Sequence, residues 1–126
     1  MRLLIDTHIL IWHLEDDNQL PLAKSSVIAD DDNEILISIA SLWEIAIKMS
    51  LGKLKLSRTL AEIIEWIGHS TVSIMGIEPY HTHQVSKLPF HHKDPFDRMI
   101  IAQAISESIG IMTLDPAFSK YGVDLL

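Results

Sequence analysis

Arg2-Leu3-Leu4-Ile5-Asp6-Thr7-His8-Ile9-Leu10-Ile11-Trp12-His13-Leu14 decides the fold. Residues 2–6 are a short apolar run that reads as a buried strand. Residues 7–14 continue as a helix carrying Ile9, Leu10, Ile11, Trp12 and Leu14, and Asp16-Asp17-Asn18 breaks it. The same alternation runs to the end of the chain. Pro21 opens a short helix over 22–29, and 34–38 is a second strand. A helix capped by Ser38 or Ser41 runs to about Met49 and stops near Gly52. Leu60, Ile63, Ile64 and Ile67 share one helical face within 59–67. A third strand at 72–77 leads to a helix that starts at Pro79 and runs toward Leu88. Pro89 and Pro95 bracket a loop. The clearest helix covers 97–109, ends at Gly110 and feeds a strand at 111–114, and a last short strand includes Val123 and Leu125. Strands alternating with helices imply an α/β fold around a mostly parallel sheet.

At 126 residues, with no repeat, low-complexity tract or linker, residues 1–126 read as one domain. Such a chain buries roughly two-thirds of its unfolded surface. Aromatics are only 6% of the residues, so the core is expected to be aliphatic. The absence of cysteine excludes disulfides, zinc–thiolate centres and thiol nucleophiles, and suits a reducing cytoplasm. The apolar run before Asp6 is too short for a signal peptide. No apolar run is long enough to span a membrane.

Four carboxylates stand where strands end or helices begin. Asp6 closes the first strand, Glu44 lies in Ala40-Ser41-Leu42-Trp43-Glu44-Ile45, Asp97 opens the clearest helix, and Asp115 closes Ile111-Met112-Thr113-Leu114. In an open α/β sheet that edge is where ligands bind. Singly, each has a plain explanation: Asp6 and Asp97 as helix caps, Glu44 as an exposed stripe, Asp115 as a turn starter. Gathered together, they would repel one another by roughly 4 kcal/mol per pair at about 4 Å. A divalent cation is the simplest remedy. The formal charge of −7 fits this, since setting Asp6, Glu44, Asp94, Asp97 and Asp115 aside from the 17 acids leaves 12 against 10 lysines and arginines.

The same −7 argues against an ordinary basic nucleic-acid binder. Lys48, Lys53, Lys55 and Arg58 nevertheless lie in a stretch without acids, either a phosphate-contacting surface or a solvated loop. The pairs His81/His83 and His91/His92 do not share helix faces and make a poor transition-metal site. His91 or His92 near the acids is a candidate phosphate contact.

With these residues in place a resemblance emerges. Asp6-Thr7-His8 after a strand, Ser41-Leu42-Trp43-Glu44-Ile45-Ala46-Ile47-Lys48, Leu51-Gly52-Lys53-Leu54, His92-Lys93-Asp94-Pro95-Phe96-Asp97-Arg98-Met99-Ile100-Ile101-Ala102-Gln103-Ala104 and Thr113-Leu114-Asp115-Pro116-Ala117-Phe118 resemble PIN domains, in particular the VapC-type toxins of type II toxin–antitoxin pairs. The resemblance covers nearly the whole chain in the right order. It implies an α/β/α sandwich and an endoribonuclease dependent on Mg²⁺ or Mn²⁺. It also implies a VapB-type antitoxin partner and commonly a homodimer. By similarity the metal-binding acids are Asp6, Glu44, Asp97 and Asp115, with Asp94 as an auxiliary acid. Ser38, Thr7 and Thr113 are implied as hydroxyls that orient ligands or water. Only Arg2, Arg58 and Arg98 are arginines, so bidentate phosphate clamps are few.

Hydrolysis of an RNA phosphodiester needs an activated water and a leaving oxygen relieved of charge, and carboxylate-held Mg²⁺ supplies both. Two alternatives stand beside this expectation. A catalytically silent PIN-like module would bind only antitoxin or nucleic acid. A phosphoryl-transfer protein would need a second acid two residues after Asp6, or a lysine soon after the 111–114 strand, and neither is present.

Overall fold

The computed structural model describes residues 1–126. Four strands, β1 (Arg2–Ile5), β2 (Glu34–Ser38), β3 (Ser73–Met75) and β4 (Gly110–Met112), pair in the order β3-β2-β1-β4, every pair parallel. The helices are α1 (Thr7–Leu14), α2 (Leu22–Ala29), α3 (Ile39–Ser50), α4 (Leu60–His69), α5 (Pro79–Lys87) and α6 (Pro95–Glu107). A 3-10 helix, Pro116–Tyr121, follows β4. The last expected strand reduces to a single parallel bridge between Leu125 and Ile111.

Alternation along each strand splits the core in two. Leu3, Ile5, Ile35, Ile37 and Met112 meet Ile9, Leu10, Leu42, Ile45 and Ile63 on one face. Leu4, Leu36, Met75 and Ile111 meet Ile100, Ile101, Ala104 and Phe118 on the other. The strands are thus covered on both sides, as parallel sheets require. The chain moves outward from β1 to β2 and β3, then crosses back to pair β4 with the opposite edge of β1. Right-handed crossovers running in opposite directions put their helices on opposite faces. They also leave a crevice at the carboxyl ends of β1 and β4, the topological switch point where ligands bind in such sheets.

The expected boundaries of α1, α2 and β2 match the structure, β1 and β3 are shorter than expected, and the ends of α6 and β4 shift. Helix α6 begins at Pro95 rather than Asp97, because Pro suits the first helical position and Asp94 caps it. It ends at Ser108, in the left-handed conformation at φ 56°, not at Gly110. Gly110 opens β4 instead, where a Cβ would meet Leu3 Cδ2 at 3.1 Å and the Asp124 carbonyl at 3.3 Å. Finally, β4 stops at Met112, which frees Thr113 and Leu114 to turn toward the 3-10 helix.

Arg98 ties α6 to the end of α5. Its buried guanidinium donates to the Pro89 carbonyl at 2.8 Å and the Leu88 carbonyl at 3.2 Å, and lies 4.1 Å from the Phe90 ring centroid. These carbonyls follow a helix terminus and have no intrahelical donor. Arg98→Met is expected to lower the unfolding free energy by roughly 2–3 kcal/mol, since a charged donor is removed and its acceptors stay buried. Urea denaturation measures this; an unchanged midpoint and slope would show the carbonyls are satisfied otherwise.

Candidate active site

All but one of the candidate acids are delivered by the start of an element. Asp6 caps α1, Oδ1 accepting from the Ile9 amide at 2.8 Å and Oδ2 from the Thr113 hydroxyl. Asp115 caps the 3-10 helix, Oδ1 accepting from the Ala117 amide at 2.9 Å. Its own amide donates to Thr113 Oγ1 at 3.0 Å, so Thr113 joins the ends of β1 and β4. Asp94 caps α6 through the amides of Phe96 and Asp97, at 2.9 and 3.0 Å. Asp97 lies in the first turn of α6. Helix N-termini carry partial positive charge and favour acids there. Glu44 is different: it is buried in the middle of α3, where no helix end helps it.

Asp97 lies within the field of the other four acids. Asp97 is pushed up to about 7, first by burial and then by Asp94, Glu44, Asp6 and Asp115. Burial also raises Asp6, against the opposing hydrogen bonds from Thr113 and Ile9. Lys48 Nζ lies 2.5 Å from Glu44 Oε2, one helical turn away on α3. That hydrogen bond raises the lysine's pKa, and Asp94 and Asp97 add to the effect.

The remaining expected residues fall into distinct places. Ser38 caps α3, accepting from the Ala40 amide at 3.0 Å, and Thr7 donates to Ser41 Oγ at 2.9 Å, linking α1 to α3. Lys53 joins Lys48, Glu44, Thr7, His8 and Trp12 around a cleft of about 330 Å³. Lys55 is exposed and Arg58 half-buried, and neither lines that cleft. The largest cavity, about 470 Å³, is not the acidic one; it is an apolar hollow beside α3 and α6 that includes Trp43, Phe90, Phe96 and Met99. Sequence reasoning ties His92 to no particular acid. Its Nε2 lies 3.6 Å from Asp97 Oδ2, and the one available signal is its place in the segment that leads into Asp97.

The donor set fits a hard divalent cation. All candidate ligands are carboxylate oxygens, Glu44 Oε1 is buried with no hydrogen-bond partner, and the neighbouring acids add to the effect of burial in raising Asp97. The cage is not closed: no group of three acidic or histidine side chains is arranged to hold an ion. Lys48 supplies the nearest positive charge to Glu44.

The family model described as PIN domain matches residues 3–124. Among solved structures, the chain is similar to one in VapBC2 from Rickettsia felis bound to a DNA fragment from its promoter, with 19% identity, a TM-score of 0.75, and 100% of this chain and 98% of that chain covered. It is similar to one in DNA-bound VapBC from Salmonella typhimurium, with 17% identity, a TM-score of 0.74, and 100% and 97% covered. It is also similar to one in FitAcB from Neisseria gonorrhoeae, with 16% identity, a TM-score of 0.69, and 98% and 96% covered. At such identities the likeness is one of fold. No curated protein matches the chain.

The raised Asp97 pKa has a thermodynamic signature. The unfolded carboxyl loses its proton near 3.8 and the folded one near 7. Between those values the folded state binds more protons, so this group's contribution to stability falls as pH rises. In metal-free buffer Asp97→Asn is expected to raise the Tm near pH 8, about one unit above the folded value, and to change it little near pH 4.5, where the folded acid is already neutral. Thermal melts in EDTA at both pH values check this; an equal effect at both would show that Asp97 is not held neutral by its neighbours.

Proposed function

The chain belongs to the PIN-domain family, and we propose that it is a metal-dependent endoribonuclease acting as the toxin of a toxin–antitoxin pair. One observation carries this reading: burial, with the charges of Asp94, Glu44, Asp6 and Asp115 added to it, holds Asp97 near 7, which supports acids from separate parts of the chain acting together. Mg²⁺ is the ion that hard carboxylate donors suit, with Mn²⁺ as a substitute. When bound, it supplies a water of lowered pKa and positive charge for the leaving oxygen.

The chain's own residues divide the remaining work. Asp6 is held by hydrogen bonds on both oxygens, so it presents a fixed carboxylate. Asp115 is tethered to it through Thr113. Glu44 has Oε2 bound to Lys48, while Oε1 is free to take a ligand or the proton of the attacking water. Thr7 keeps the element bearing Asp6 in register with the one bearing Glu44. Asp94 orders the first turn that carries Asp97.

Lys53, on the cleft beside Glu44, is the basic residue best placed to meet the RNA backbone, with Lys55 and Arg58 beyond it. Lys48 acts on the carboxylate it binds. The similar VapBC structures support an antitoxin partner. Exposed Trp43 and Phe90, at 60% and 80%, offer the apolar area that protein partners cover, a second copy in a homodimer included. No helix is long and apolar enough to cross a membrane, and the proposed site of action is the cytoplasm. Residues 1–126 form one PIN-like domain in this reading.

The silent-module alternative draws on the open arrangement of the acids. Asp97→Asn is expected to abolish Mg²⁺-dependent RNA cleavage while leaving the fold intact, and to lower Mg²⁺ affinity. Full activity in that variant would remove Asp97 from the mechanism, and an unmodified chain that neither binds Mg²⁺ nor cleaves RNA would favour the silent module. On the Asp97→Asn background, replacing Lys53, Lys55 and Arg58 with alanine is expected to flatten the salt dependence of RNA binding. The log–log slope should drop by ~0.7 for each phosphate no longer neutralised. An unchanged slope would return that stretch to a solvated loop.

A further inference from the structure

Asp97 is the least constrained acid of the site. Its carboxylate accepts no hydrogen bond from the protein, and His92 is the only basic side chain in ion-pair range, with Nε2 at 3.6 Å from Oδ2. That separation is beyond a formed hydrogen bond, so what it does depends on whether Nε2 carries a proton. The surroundings of His92 decide this. Tyr121, the last residue of the 3-10 helix that Asp115 caps, places its hydroxyl 2.6 Å from His92 Nδ1. The same phenol oxygen receives the His92 amide at 3.2 Å and Arg98 Nη1 at 3.5 Å.

A phenol has one proton to donate and two lone pairs. With the His92 amide and, at longer range, Arg98 Nη1 directed at its lone pairs, the proton of the phenol is the one left for Nδ1. Neutral His92 then has Nδ1 as acceptor and carries its proton on Nε2, facing Asp97. The ring is held in place by Tyr121, at 5.4 Å between centroids, and Phe118, at 6.1 Å. Both come from the 3-10 helix, so the element that delivers Asp115 also orients the partner of Asp97. Nε2 is buried and has no other partner.

We infer that Tyr121 and His92 form a positioning pair for Asp97: Tyr121 fixes the Nε2–H tautomer of His92, and the N–H dipole holds the Asp97 carboxylate in the orientation that takes the metal. This rests on the proposed role of Asp97 as a metal ligand. Changing a group that orients a metal ligand from behind typically costs about 10- to 100-fold in metal affinity. His92 and Tyr121 touch neither substrate nor the reacting atoms in this scheme and act only through Asp97.

The test uses the full chain and two readouts other than activity. Long-range ¹H–¹⁵N correlation of the metal-free protein reads the tautomer of His92, its signals assigned by their disappearance in His92→Gln. Calorimetric titration with MnCl₂ reads the site directly. The expected result is the Nε2–H tautomer in the unmodified protein and a shift toward mixed tautomers in Tyr121→Phe. Mn²⁺ affinity is expected to fall roughly tenfold in Tyr121→Phe and His92→Leu, and to be largely restored in His92→Gln, whose amide puts an N–H near the Nε2 position. An Nδ1–H tautomer in the unmodified protein, which needs no variant to fold, would overturn the inference. So would unaltered Mn²⁺ affinity in both weakening variants. If the unmodified protein binds no Mn²⁺, the metal-site reading itself fails; a wrong tautomer beside normal Mn²⁺ binding overturns the positioning role alone.

Discussion

Mutual repulsion among buried or half-buried carboxylates at one edge of a parallel sheet is the constraint to which the rest of the structure answers. Desolvation makes it severe, because water is the usual means of keeping like charges apart. The fold meets it largely with backbone. Asp6, Asp94 and Asp115 each cap a helix, and Asp97 occupies a first turn. Three helix N-termini therefore point their amides at the acids, and partial positive charge arrives without the desolvation cost of whole cations. Glu44, mid-helix, is the one acid that no terminus can serve, and it alone has a full ammonium, Lys48, bound to it.

This arrangement dissolves the choice between capping and function that the sequence poses. Asp6 is a helix cap by every hydrogen-bond criterion and is also at the switch point; the cap fixes its rotamer and so makes it a better ligand candidate. The same holds for Asp115. For Asp97 the capping explanation fails, because Asp94 takes that place and the helix starts two residues before the expected boundary. The reason lies in Pro95. Paired with Pro89 it suggests a loop, yet a proline at the first helical position, preceded by aspartate, is a start signal. Asp115-Pro116 carries the same chemistry, which is why a 3-10 helix stands where a plain turn is expected.

What is legible in the sequence follows from local pattern. The strand–helix transition at Asp6 and the burial of consecutive strand residues are properties of a few neighbouring positions. The candidate acids stand out because their placement repeats at successive sheet edges and because their motifs resemble a known family. What is not legible depends on tertiary placement. Proximity in sequence groups Lys48 with Lys53, Lys55 and Arg58, although its four-residue spacing from Glu44 puts the two on one helix face. The burial of Glu44 separates it from an ordinary exposed pair. The Tyr121–His92 contact spans 29 residues, and no local rule anticipates it.

The site is also distributed in a way that links its assembly to that of the sheet. Asp6 follows β1, Glu44 lies on the helix after β2, Asp94 and Asp97 start the helix before β4, and Asp115 follows β4. No two neighbouring elements suffice to gather them. The Thr113 hydroxyl reaches Asp6 only when β1 and β4 pair, and the Thr7–Ser41 bond forms only when α1 and α3 pack. The acids therefore reach full repulsion only after the sheet and both helical layers are formed. At that point the core contacts of both faces are available to offset it, which is why a fold of this size can hold so much like charge in one place.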